Sequence, residues 1–484
     1  MVRHACWDTF MMNKVLSLTV SLALLVTGSV SAKQASVLSE EQRAQLTQLG
    51  QTALSSDLAY EIEESLTTEV GARMIGTEGD KRAIKWAVEK MQSLGFDKVW
   101  TEEVAHFQWI RGDVEAKVLA PFPQPVKAIA LGESVGTGDK AIEAEVIHFN
   151  TLADLEAAEA DSLTGKIAFV SYRMERFKTG KGYGKAVGAR VRGASVAAQK
   201  GAVGFIMRSV GTDDNRTPHT GITRYENGVK RIPAVALSNP DADLLVNQFK
   251  RNKPVQFSLK VTAMRNEVVT VKGANVIGEI TGSELPEQIV ALGAHLDSWD
   301  VGTGAIDDGL GVAMVMAATA HIGKLAERPK RTIRVILFAG EEVGLLGAKQ
   351  YVINQKDTLA NHVIAAEWDF GLGKIYAMQS NVADAAVPAI DELASYLKPL
   401  GVAYNTANQG RGQSDMGLVT DKGVPAMNFT PDGTRYFDIH HTENDTLDKV
   451  NPEDLQQNTA VYTIFAYFAA QADTEFRSSE SASK

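Results

Sequence analysis

Residues 288–311 constrain this chain more than any other stretch. A β-type run over 288–293 breaks into a loop carrying His295, Asp297 and Asp307 among glycines 302, 304, 309 and 311. The loop then opens into an apolar helical pattern over 310–325. Glycines let the backbone turn sharply. A strand feeding a helix through such a loop is a unit of open α/β sheets, whose ligands gather beyond the carboxyl ends of the strands. Imidazole and carboxylate are good ligands for zinc and similar divalent ions. An Asp/Gly-rich turn is also a common turn and nothing more, so the reading depends on what else stands at strand ends.

The pattern repeats through the second half. Strand-like runs over 288–293, 332–339, 362–368 and 425–429 alternate with helical runs over 310–325, 344–354, 385–397 and 452–470. That alternation predicts an α/β fold, a mostly parallel mixed sheet covered by helices on both faces in three layers. Helical patterns over 39–68 and 77–94, then strands over 98–104 and 113–118, make an α/β opening. Between them the texture changes to short β-type runs at 143–148, 167–171, 203–207 and 234–237 with one helix at 192–200. We read 33–130 and 263–484 as two parts of one domain and 131–262 as an inserted β-rich module. Its polar loop 216–225, with His219, either overhangs a site elsewhere or stands as a solvated loop, which is the commoner case.

Hydrophobic residues make up 44% of the 484 residues and charged residues 22%, ordinary for a soluble globular protein. A net charge of −10, spread along the chain, argues against nucleic-acid partners. Lys14, an apolar run over 15–26 and the small residues Val30-Ser31-Ala32 read as a signal segment over 1–32, with Met12 a candidate start. The run is too short for a stable membrane anchor. The expectation is an exported protein, periplasmic or secreted. The single cysteine, Cys6, falls in that segment, so thiolate ligands and disulfides are not expected.

Further clusters follow the strands. Glu341 and Glu342 are adjacent carboxylates at a strand's end, where one can bind metal while the other faces water; both also suit a helix N-terminus. Asp369 follows the next strand, as a ligand or a turn residue. His440 and His441 stand together in a late loop, and one of them is expected to be structural. Ser414 and Asp415 precede a helix-like turn, either as substrate contacts or as an ordinary cap. On one sheet edge this set suits two metals sharing a carboxylate.

The motifs His295-Leu-Asp297-Ser, Gly304-Ala-Ile-Asp307-Asp308-Gly, Ala339-Gly-Glu341-Glu342-Val-Gly-Leu-Leu-Gly347, Asp369 and His441-Thr-Glu-Asn-Asp-Thr446 resemble those of the co-catalytic zinc aminopeptidases, the M28 peptidases. The likeness covers most of 40–475, and the module at 131–262 resembles a protease-associated domain. The loop around His219 and the His-His-Thr ending look most like the plasma glutamate carboxypeptidase (carboxypeptidase Q) branch. The resemblance implies a dinuclear-zinc exopeptidase, with manganese or cobalt also acceptable to the ligands. His295 and Asp369 would bind one ion, Glu342 and His441 the other, and Asp307 both. Glu341 would be the general base, and Asp297 would orient His295. His441 is preferred to His440 because the family places its ligand directly before Thr or Ser. Ser414, Asp415, His219 and Tyr436 are candidate substrate contacts. The substrate would be a short peptide, and a homodimer is implied by the likeness alone. The rivals are another amide or acyl hydrolase, a glutaminyl cyclase, or a receptor-like binding protein on the same scaffold.

Overall fold

In the computed structural model, which describes residues 36–477, the first sheet has eight strands. Their order across it is Lys98–Ile110, Met264–Ile280, Arg331–Phe338, Leu285–His295, His362–Glu367, Ala426–Pro431, Ile375–Asn381 and Ala403–Asn405. The central run from Arg331–Phe338 to Ala426–Pro431 is parallel throughout. Met264–Ile280 and Ile375–Asn381 flank it antiparallel, so the sheet is mixed as expected. Residues 1–32, read above as a signal segment, lie outside the described residues.

Alternation along the strands explains why helices cover both faces. Val290, Leu292 and Ala294 enter one core with the helices Leu310–Gly323 and Pro452–Gln471; Ile289 and Ala291 enter another with Leu346–Asn354 and Ser414–Thr420. Gly293 admits that second pair closely, since a Cβ there would stand 2.9 Å from Met416 Cε. Leu310–Gly323 is apolar on every side and buried from Leu310 to Ile322, the behaviour of a helix wrapped by its own domain. Helix starts follow their caps: Ser39 forms a capping box, Thr77 accepts from Asp80 N–H, and Asn451 accepts from Asp454 N–H with Pro452 in the first turn.

The second sheet runs in the order Gln124–Val126, Val114–Ala120, Gln256–Val261, Ile142–Phe149, Ile167–Val170, Gly204–Arg208, Ala234–Leu237 and Ala128–Ala130. It begins before residue 131, so the boundary expected there cuts through it. The strand pattern near 114 is legible, but its pairing with Gln256–Val261 leaves no local trace. This region holds three helices rather than one, Leu152–Glu156, Tyr183–Gln199 and Asn239–Phe249, and the one expected over 192–200 begins well upstream at Tyr183. Its glycines at 184, 188 and 193 dilute the helical signal. From Val37 on, both sheets belong to one compact unit.

Candidate metal centre

Every predicted ligand stands beyond the carboxyl end of a central strand or in a loop at that edge. His295 ends Leu285–His295, Glu341 and Glu342 follow Arg331–Phe338, and Asp369 follows His362–Glu367. Asp307 lies in the loop before Leu310–Gly323, and the Asp307–Asp308 peptide is cis. His441 lies in the loop after Ala426–Pro431, at φ 62°. That left-handed conformation is less costly for histidine than for most side chains.

The five side chains converge, and Asp307 is common to two groups. Its Oδ1 is 3.2 Å from His295 Nε2, and its Oδ2 is 3.2 Å from His441 Nε2. His295 Nε2 is also 3.4 Å from Asp369 Oδ1, and His441 Nε2 is 3.0 Å from Glu342 Oε2. His440 Nε2 is 3.6 Å from Asp307 Oδ2, with its ring stacked 3.5 Å from that of His441. His441 is thus the closer histidine and the one that meets Glu342. The other ring nitrogens are engaged: His295 Nδ1 lies 2.9 Å from the carbonyl of Asp297, and His441 Nδ1 lies 3.2 Å from that of Thr220. With Nδ1–H donating to the Asp297 carbonyl, His295 Nε2 keeps its lone pair for a metal.

The residues fit divalent cations electrostatically. Burial, then the charge of Asp369, pushes the Glu341 carboxyl well above the ordinary range; burial and Asp307 do the same to Glu342. Glu342 Oε1 and Asp297 Oδ2 are buried without hydrogen-bond partners. Asp307 is the exception: against burial, His295 and His441 hold it well below the usual value. So many acids in one dry place require positive charge, and the N/O donor set is one that zinc accepts.

Two buried residues of opposite charge hold the loop that carries Asp307. Arg73 donates to the carbonyls of Leu296 (2.5 Å), Thr303 (2.6 Å) and Gly304 (2.8 Å). Asp445 accepts from the amides of Ile306 (2.6 Å) and Asp307 (3.3 Å), and its own carbonyl accepts from Thr303 N–H at 2.9 Å. Sequence reasoning assigned neither residue a role. Asp445 was visible only as part of a motif, and Arg73 gives no sequence signal. Asp297 meets both His295 and Glu341. Its carbonyl, not its carboxylate, meets His295; the carboxylate is 3.7 Å from that ring and accepts instead from Glu341 N–H at 3.0 Å.

A cavity of about 590 Å³ opens over the cluster, lined by Asp307, Glu341, Glu342, Asp369, His440 and His441. Ser414 and Tyr436 line it. Asp415 and His219 do not. Asp415 is wholly buried with both carboxylate oxygens unpartnered, because its helix turns it inward beside Glu367. His219 spans from the carbonyl of His440 to Asp213, 2.7 Å from each, and so props up the late histidine loop. The second-sheet region also reaches the cavity with Tyr183, Arg190, Ile222 and Arg224. Arg190 donates to Tyr183 Oη at 2.6 Å and approaches His441 Nδ1 at 3.2 Å.

The sequence pattern of Peptidase family M28 matches residues 275–466, the part that carries the cluster. Carboxypeptidase Q of Mus musculus is 33% identical over 415 residues, 86% of each chain. The chain belongs to peptidase family M28. That membership makes it a metallopeptidase. A solved M28 peptidase precursor from Shewanella amazonensis is 50% identical, with a TM-score of 0.88 over 90% of this chain and 98% of that one. BSAP, a zinc aminopeptidase from Bacillus subtilis, is 20% identical with a TM-score of 0.61 over 88% of this chain and 98% of that one, a likeness of fold.

Proposed function

We propose that this M28 peptidase is an exported exopeptidase with two metal ions, zinc by preference, acting on dipeptides or short peptides. The observation that carries the reading is Asp307, whose two carboxylate oxygens face His295 and His441 separately. His295 and Asp369 would hold one ion, Glu342 and His441 the other, and Asp307 both. Bound divalent ions supply Lewis acidity, polarising the scissile carbonyl, easing loss of a proton from water and stabilising the oxyanion.

The protein's own part is proton transfer and placement. Glu341 lines the cavity beside the ligands, where a carboxylate can take a proton from water and return it to the leaving amine. Asp297 fixes the main chain of that base. The cavity volume suits a short peptide. We read the second sheet and its helices as the protease-associated-like module, supplying one wall. Export is supported by Lys14 and the apolar run over 15–26, and by the description of the Shewanella relative as a precursor. The complete ligand set favours this reading over a one-zinc cyclase or a receptor. A bound-metal count with hydrolysis of a dipeptide panel, each end blocked in turn, tests it: two metals and cleavage are expected, and a metal-loaded protein that cleaves no peptide would refute it.

A further inference from the structure

The two histidines of the centre differ in what stands behind them. His295 Nδ1 faces two acceptors, the carbonyl of Asp297 at 2.9 Å and its carboxylate at 3.7 Å. His441 Nδ1 faces groups of opposite sign, the carbonyl of Thr220 and the guanidinium Nη1 of Arg190, each at 3.2 Å. A ligating histidine ordinarily donates its far N–H to a carbonyl or carboxylate, which makes the ring a better donor to the metal. A guanidinium in that place does the reverse.

Arg190 is built into its position. It belongs to the helix Tyr183–Gln199 and is 5% exposed. Its Nη2 donates to Tyr183 Oη at 2.6 Å, and its Nε is buried without a partner. Among the described residues no carboxylate lies within ion-pair distance of it. The polar loop 216–225 overhangs the cavity through Ile222 and Arg224, and it leaves room for the guanidinium. Gly221 has φ 131°, and a Cβ there would stand 2.5 Å from Arg190 Cζ. Thr220 N–H, in the same loop, donates to the carbonyl of His441 at 3.0 Å, which holds the histidine where it meets Arg190.

A guanidinium has donors only. Where it donates to His441 Nδ1, the neutral ring carries its proton on Nε2, turned to Glu342 and Asp307, and that nitrogen has no lone pair for an ion. Where His441 Nδ1–H donates to Thr220 instead, Nε2 is open, but a ring N–H then faces a guanidinium N–H. In both cases the charge of Arg190 repels a cation on His441. Behind His295 the nearby charge is that of Asp297 and has the opposite sign.

Resting on the two-ion reading, we propose that Arg190 makes the two metal sites unequal. The ion on Glu342 and His441 is the weakly held, exchangeable one, and a helix of the second-sheet region sets its affinity. The test is a zinc titration of the full chain, stripped of metal, against a competing chelator. The wild type should show two steps with dissociation constants roughly tenfold or more apart. Glu342→Ala, which spares His295 and Asp369, should keep the tight step, and Asp369→Ala the weak one. Arg190→Met should tighten the weak step roughly tenfold and leave the tight step unchanged, while Arg190→Lys, which keeps the charge, preserves the gap. Two equal steps in the wild type overturn the inference, as does a tight step that survives in Asp369→Ala rather than Glu342→Ala. An Arg190→Met chain whose weak step is unchanged or weaker also overturns it. A wild type with no second step overturns the two-ion reading and this inference with it; the other adverse results overturn this inference alone.

Discussion

Asp297 Oδ1 accepts a hydrogen bond of 3.0 Å from the main-chain N–H of Glu341. One residue thereby serves two parts of the centre, since its carbonyl meets His295 Nδ1 at 2.9 Å. Asp297→Asn keeps an oxygen for the Glu341 amide and the carbonyl for His295, but removes a charge. The variant should retain both metals and lose roughly ten- to a hundredfold in kcat. Metal content and steady-state kinetics check this; loss of metal in step with activity would show that the carboxylate acts through the ligands instead.

Glu341 is proposed to move the proton without binding metal. Glu341→Gln is nearly isosteric, so the ligand cluster should load as in the wild type while turnover falls by several orders of magnitude. Comparable turnover in a metal-loaded variant would remove Glu341 as the base.

Asp445 and Arg73 clamp the Asp307 loop from opposite ends of the peptide dipole, the acid on amides and the guanidinium on carbonyls. Asp445→Ala leaves the buried amides of Ile306 and Asp307 without their acceptor, at a cost of about 1–3 kcal/mol. Metal affinity should weaken roughly ten- to a hundredfold, because Asp307 loses its fixed orientation. Titration calorimetry with zinc measures the affinity and urea unfolding the stability; an unaltered affinity would make the clamp purely structural.

A histidine away from the centre predicts a pH dependence of stability. His362 Nε2 faces the hydroxyl of Tyr351 at 2.7 Å, and that hydroxyl accepts from Arg334 at 2.9 Å. Burial, then the charge of Arg334, lowers its pKa from 6.5 to about 3. Between those values the unfolded chain binds the proton and the folded chain does not. Stability therefore falls as pH falls below 6.5, by up to about 1.4 kcal/mol per unit. In His362→Phe this component is absent, so the stability gap between wild type and variant should narrow from pH 6.5 to pH 5. Titration of the metal ligands cancels in that difference. A constant gap would show that His362 titrates alike in both states.

The centre was legible because its ligands fall in short motifs at strand ends, where side-chain type and position carry the signal together. Residues that work through the main chain were not. The carbonyl of Asp297 looks like any other in sequence, and Arg73 acts from a region with no motif. Asp415 shows the converse: its chemistry suggested a substrate contact, but the Ser414–Thr420 helix turns it into the core. Arg190 and Arg224 lie in a region whose pairing spans distant segments, so nothing local reveals that they face the cavity. Met264–Ile280 escaped notice because its outer half is exposed and mixes Val268, Val269 and Val271 with charged and polar residues, without the pattern of a buried strand.

The central claim is that five side chains, sharing Asp307, hold a pair of cations. The most direct measurement is the metal content of the purified protein after saturation with zinc and removal of free ion, by elemental mass spectrometry. Two zinc ions per chain are predicted, falling to one or none in Asp307→Ala. A wild-type chain that saturates at one ion, or an Asp307→Ala chain that still holds two, would contradict the account.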